Sequence, residues 1–184
     1  MAIRLVPTNP VAHIAAQLNP FRQGQLDALC GIYCTLNAVQ IAAHPVRPIG
    51  VSKARSLFTS AVSAMRKHHS YLNPLSQGMA NKRMIWLAHH IVKSANTKRM
   101  RFVVEVCDCD DIENWIRQSL DLGAPVVACL IDSWHFSVIV DVTLDALVLF
   151  DSQGTSSLPI SRSGSLVDMI DQEGTIRIRL NMQT

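Results

Sequence analysis

An α+β fold is predicted, and three observations carry the prediction. Apolar residues recur at intervals of three and four between Cys30 and Ala95, strand-like runs replace them after Arg101, and the charge changes sign at about the same place. Helices first and an antiparallel sheet second is an α+β plan.

The elements follow in chain order. Residues 1–24 are a lead punctuated by Pro and Asn, with a short helix read over 11–18. From Cys30 to Ala43, Ile32, Tyr33, Leu36, Val39 and Ala43 keep helical spacing, which predicts a buried helix that stops before Pro45. Ser52 is read as the N-cap of a helix to about His68, with Ala54, Leu57, Phe58, Ala61 and Met65 on one face. Residues 71–78 read as a turn, and a further helix from about Met79 to Ala95 turns Met84, Leu87, Ala88 and Ile91 inward. The basic region is therefore read as a helical hairpin.

Beyond Arg101, Phe102 to Cys107 is β-rich and Asp110 to Leu120 reads as an amphipathic helix with acids in its first turn. Ala124 to Ile131 is a continuous apolar run suited to a buried central strand. His135–Val142 and Ala146–Asp151 are β-patterned and joined by a short turn near 143–145; Thr175 to Leu180 alternates as a final strand.

At 184 residues, 48% hydrophobic and 17% charged, the chain can bury a real core, which excludes a disordered tail, a disulfide-stapled miniprotein and a collagen-like fibre. One domain is expected over residues 1–184, with a helical lobe at about 25–100 and a β lobe at about 101–184. Pro7 and Pro10 interrupt the place where a signal peptide needs an apolar core. The longest apolar run falls far short of the roughly 20 residues of a membrane helix. A cytoplasmic protein without a membrane partner is therefore expected. The five cysteines then read as core residues, nucleophiles or ligands rather than disulfides.

The net charge of +3 conceals a division: residues 28–104 contain no Asp or Glu but eleven Lys/Arg and five of the seven histidines, whereas residues 105–184 hold thirteen acids against four arginines. Three readings of the basic hairpin stand side by side: nucleic-acid binding, recognition of an acidic protein surface, and a solvated lobe attracted to the acidic one. Nucleic acid is the least expected, because interleaved exposed aromatics are missing and the pI is only about 8.7.

The chemistry concentrates in residues 25–40 and 132–154. Cys30 is placed in the first turn of its helix, where free backbone N–H groups and the positive dipole end favour a thiolate, the nucleophilic form. Gln25, five residues earlier, puts a side-chain amide within reach as an oxyanion donor, with Gln23 as its competitor. Gly31 is read as leaving room for a substrate carbonyl. His135 opens one strand and Asp151 ends the next, so a tight hairpin brings residues sixteen apart together: Asp151 orients the imidazole and His135 serves as base toward Cys30. The bland alternatives are a buried helix cysteine and a plain strand histidine. Cys34, one turn beyond Cys30, reads as core.

Gln25, Leu29, Cys30, Cys34, Asn37 and Gln40 resemble, in type and spacing, the nucleophile helix of Josephin domains, the papain-like deubiquitinating cysteine proteases. The 105-residue step from Cys30 to His135 is similar to theirs, and the helical hairpin falls where they carry one. Cys30-Gly31 and the His-to-Asp spacing also resemble C39-type peptidases. Together the two stretches cover about a fifth of the chain; an Asn stands in Josephin domains where Asp151 stands here, and a Trp where Phe136 stands. The resemblance implies a papain-like fold and a thiol hydrolase with Cys30 as nucleophile, His135 as general base, Asp151 as orienting residue and Gln25 as oxyanion donor, acting on a protein or peptide without a cofactor. Two other functions fit the same residues: a catalytically silent fold that binds an acidic partner through the basic hairpin, and a transglutaminase-like acyl transferase. Cys107-Asp108-Cys109, with the doublets His68-His69 and His89-His90, offers only a weak metal motif, since a matched second pair is missing.

Overall fold

The computed structural model describes residues 8–24, 29–68, 79–160 and 165–181. Among them are five α-helices, α1 (Pro10–Ala15), α2 (Cys30–Ala43), α3 (Val51–His68), α4 (Asn81–Ala95) and α5 (Ile112–Asp121), with a 3-10 turn at Leu166–Asp168. Six strands, β1 (Arg101–Val106), β2 (Val126–Leu130), β3 (His135–Val142), β4 (Ala146–Leu149), β5 (Ser157–Pro159) and β6 (Ile170–Asn181), form one sheet. Its order is β1-β6-β2-β3-β4-β5 and every pairing is antiparallel, so the chain is mixed α+β with an open sheet. No helix among the described residues is long and apolar enough to cross a membrane.

Local chemistry sets the helix ends. Asn9 accepts the N–H of Ala12 at 2.9 Å and precedes Pro10, which suits a first helical position because it has no N–H to leave unpaired. The Asp111 side chain accepts the N–H of Asn114 at 3.0 Å, so the acids read as a first turn partly precede α5 and cap it. The α3 helix begins at Val51, which moves Ser52 from the expected cap into the first turn. The turn read over 71–78 lies outside the described residues.

The α2 helix occupies the centre. Thirteen of its fourteen residues are buried, leaving only Tyr33 half-exposed, as expected of a helix that is packed on all sides. It packs against α4, α3 and β3, while α3 and α4 pack on each other. β2 is buried at all five positions and lies between β6 and β3, matching the expectation of a central strand. Period-two alternation divides the faces of β6: Arg177 reaches the α5 side chains Trp115 and Ser119, whereas Ile176 and Ile178, both 0% exposed, turn away from α5. Ile32, Leu57, Met84 and Ile91 from the helices and Phe136 and Ile139 from the sheet are fully buried in one core, each contributing about 1.5–3 kcal/mol of burial free energy.

Two features of the sheet depart from the sequence reading. β6 runs from Ile170, five residues earlier than expected. Asp171, Gln172, Glu173 and Gly174 look like a turn in sequence, but Gly174 is in the strand and its missing side chain leaves room for Asn81, whose amide donates to Asp171 at 2.7 Å. β4 ends at Leu149, so Asp151 stands in the turn that follows instead of ending the strand.

Candidate active site

Cys30 is the first residue of α2 and 5% exposed. The first turn of α2 contains no acid, and the preceding Leu29 supplies no side-chain cap, so the helix start presents its N–H groups beside the thiol. Packing of α2 on β3 brings this helix start to the first residue of the strand. His135 is 8% exposed there, near enough to Cys30 for the thiol to act on its titration.

The β3–β4 hairpin supplies the carboxylate. Phe150 N–H donates to Val138 O at 2.8 Å, which carries the pairing past the end of β4 and sets Asp151 level with Ser137, one diagonal step from His135. His135 Nε2 lies 2.6 Å from Asp151 Oδ2, and this leaves Nδ1 as the ring nitrogen for the thiol. The other oxygen, Oδ1, accepts the N–H groups of Gln153 at 2.7 Å, Gly154 at 2.9 Å and Thr155 at 3.3 Å. Four donors thus fix a carboxylate that is 3% exposed.

Electrostatics follow from this geometry. Burial opposes the imidazolium of His135, but its hydrogen bonds to Asp151 and Cys30 and the charges of both outweigh burial and lift its pKa from 6.5 to about 9. Burial opposes the Asp151 carboxylate likewise, yet the hydrogen bond and charge of His135 and the Gln153 N–H lower its pKa from 3.8 to about 2. Burial pushes three other thiols up: Cys34 well above its usual range, with the charge of Cys30 adding to the effect, Cys107 to about 12 and Cys129 to about 11. Those three are held as thiols at neutral pH. Cys34 is 1% exposed, in keeping with its reading as core.

The lead segment is fastened across the same place by polar groups of α2. Asn37 Oδ1 accepts Phe21 N–H at 2.7 Å and its amide donates to Phe21 O at 3.3 Å, while Gln40 donates to Asn19 O at 3.4 Å. Gln23 N–H then donates to Ser152 O at 3.1 Å, and the Arg22 side chain lies against Gly154. Buried polar residues three apart on an otherwise apolar helix are the sequence signal for this clamp; their positioning role is legible only once the segment is seen on them.

Of the four sequence-predicted residues, the structure brings Cys30, His135 and Asp151 together; Gln25 lies outside the described residues. Gly31 does not have the predicted role. It is buried, and a Cβ there would meet Met84 Cγ at 3.2 Å and Met79 Sδ at 3.4 Å, so its small size serves the packing of α2 on the methionines. Trp134, immediately before His135, was not singled out by the sequence. It is 74% exposed with φ 49°, a left-handed backbone that a bulky residue adopts only under strain, and such residues concentrate at functional sites. Cys107 and Cys109 stand with their sulfurs 3.4 Å apart, and the described residues contain no group of three His, Cys, Asp or Glu gathered for a metal.

A thiol, an imidazole and a buried carboxylate in a row can pass the thiol proton to the imidazole and hold the resulting charge pair. Compared with known proteins, the chain matches no family model, no curated protein and no solved structure.

Proposed function

We propose that this protein is a papain-like thiol hydrolase that cleaves a peptide or isopeptide bond. The observation that carries this reading is the buried His135–Asp151 pair, 2.6 Å apart, with Cys30 near enough at the start of α2 to act on the imidazole. In the proposed reaction the Cys30 thiolate attacks the substrate carbonyl carbon, and the oxyanion is met by the Cys30 backbone N–H and the Gln25 amide. The carbon–nitrogen bond breaks as the His135 imidazolium gives its proton to the leaving amine. His135 then takes a proton from water, whose oxygen attacks the thioester; the acid departs and the thiol is restored. Asp151 holds the ring in the orientation both steps need. The likeness to Josephin domains makes an isopeptide the first substrate to try.

Alkylation by iodoacetamide at neutral pH tests the nucleophile: rapid modification of the native chain at Cys30, lost in Cys30→Ala, is expected. Equal labelling of both proteins would overturn it. Turnover of peptide and isopeptide substrates should fall about 10²–10⁴-fold in His135→Ala, and product mass separates hydrolysis from acyl transfer to an amine.

A second reading rests on its own observation: none of the eleven Lys/Arg between residues 28 and 104 forms an ion pair among the described residues. A fold that binds an acidic partner through these cations would keep salt-dependent binding in Cys30→Ala and His135→Ala and turn over no substrate.

A further inference from the structure

Away from Cys30, two adjoining cavities of 490 and 370 Å³ open between the end of α2, the beginning of α3 and the link from α4 to β1. They share Arg47, Thr97 and Met100 in their walls. Lys53 lines the larger and Lys98 and Arg99 the smaller, so four cations face the two spaces and no carboxylate lines either. All four are exposed, and none is ion-paired among the described residues.

Hydrogen bonds fix the backbone that carries these cations. Thr97 closes a turn on Met100, its N–H donating to Met100 O at 2.9 Å and its hydroxyl accepting Arg99 N–H at 3.3 Å and Met100 N–H at 3.1 Å. Arg47 N–H donates to Ala43 O at 2.9 Å at the end of α2, and the Lys53 ammonium donates to Ser94 O at 3.2 Å. Like charges that line adjoining spaces repel one another, and an oxyanion relieves that repulsion while accepting charge-assisted, bidentate hydrogen bonds from the guanidinium groups. The same walls contain apolar surface from Ile49 and Met100, and the volumes fall in the range of small-molecule sites. No aromatic residue lines either cavity, so the base stacking of a nucleic-acid groove is missing.

We infer that this cleft binds a phosphorylated small molecule, its phosphate on Arg47, Lys53, Lys98 and Arg99 and its organic part against Ile49 and Met100. The inference is independent of the thiol chemistry: α2 has fourteen residues, about 20 Å of helix, and Cys30 and Arg47 stand at its opposite ends.

The test is calorimetric titration of the full chain with inorganic phosphate and with phenyl phosphate at fixed ionic strength. Saturable binding of both is expected, with phenyl phosphate severalfold tighter. Arg47→Ala and Arg99→Ala each weaken it about tenfold or more, Arg47→Lys recovers part of the loss, and Lys67→Ala, near the far end of α3, leaves it unchanged. Unchanged melting temperatures without ligand show that these exposed substitutions leave the fold intact. No saturable binding at millimolar phosphate, or equal weakening by Lys67→Ala, would overturn the inference. So would tighter binding of polyglutamate that declines with every hairpin cation alike, since that describes a diffuse acidic-protein surface.

Discussion

The helical half and the sheet half of this molecule use their charge differently. Beyond residue 104 the cations among the described residues are paired: Glu105 takes Arg177 at 2.6 Å and Arg179 at 2.9 Å, Glu113 takes Arg117 at 2.8 Å, and Asp151 takes His135 at 2.6 Å. In the helical half the eleven Lys/Arg of residues 28–104 make no ion pair among the described residues, so the acidic half does not neutralise them by contact across the fold. The described cations beyond residue 104 are thus part of the structure, while those before it are left to solvent and to whatever binds there. Formal charge counts do not distinguish the two; only partners do.

The sharpest test of this division is Asp151→Ala. It removes the acceptor of one imidazole and three backbone N–H groups at a buried position, so a loss of about 3–5 kcal/mol is expected in urea unfolding. A loss below that of an ordinary surface substitution would mean the pair is not structural.

The pH dependence sharpens the same point. The raised His135 pKa contributes stability that is fully present below 6.5 and lost as pH rises through about 9. The lowered Asp151 pKa contributes stability present above 3.8 and lost as pH falls through about 2. The pair therefore stabilises most between about pH 4 and 6.5, and Asp151→Asn should flatten both slopes in urea midpoints measured across pH.

A smaller effect is expected at Glu105→Gln, which weakens two partly exposed pairs; about 1 kcal/mol is lost, and high salt removes much of the difference. Smallest of all, Arg66→Ala with Lys67→Ala should leave the urea midpoint where it is, because both side chains are exposed and form no ion pair among the described residues. A clear fall there would break the comparison.

Much of the site is legible in the sequence because its parts obey local rules. A helix beginning at Cys30 follows from apolar spacing, and the meeting of His135 with Asp151 follows from the length of one hairpin. The approach of Cys30 to His135 rests on tertiary packing that no local pattern specifies. Gly31 shows the opposite failure, since a glycine beside a nucleophile suggests substrate space, whereas Met84 and Met79 claim that space. β5 escaped notice because it is three residues long and ends in Pro159, and the early start of β6 was hidden by acids and a glycine that imitate a turn. The clefts at Arg47 were invisible for a different reason: their cations come from three separated stretches of chain.

β6, the last described strand in sequence, lies second in the sheet, between β1 and β2. Until residues 170–181 emerge from the ribosome, β1 has no neighbour and β2 has only β3, so the sheet exists as two unjoined pieces with open edges. The β1–β6 pairing closes more than seventy residues of chain, a long-range step of the kind that slows folding and exposes unpaired strands in the meantime. Assembly of the core should therefore be late, with the hairpin that carries His135 and Asp151 forming ahead of the sheet that buries it.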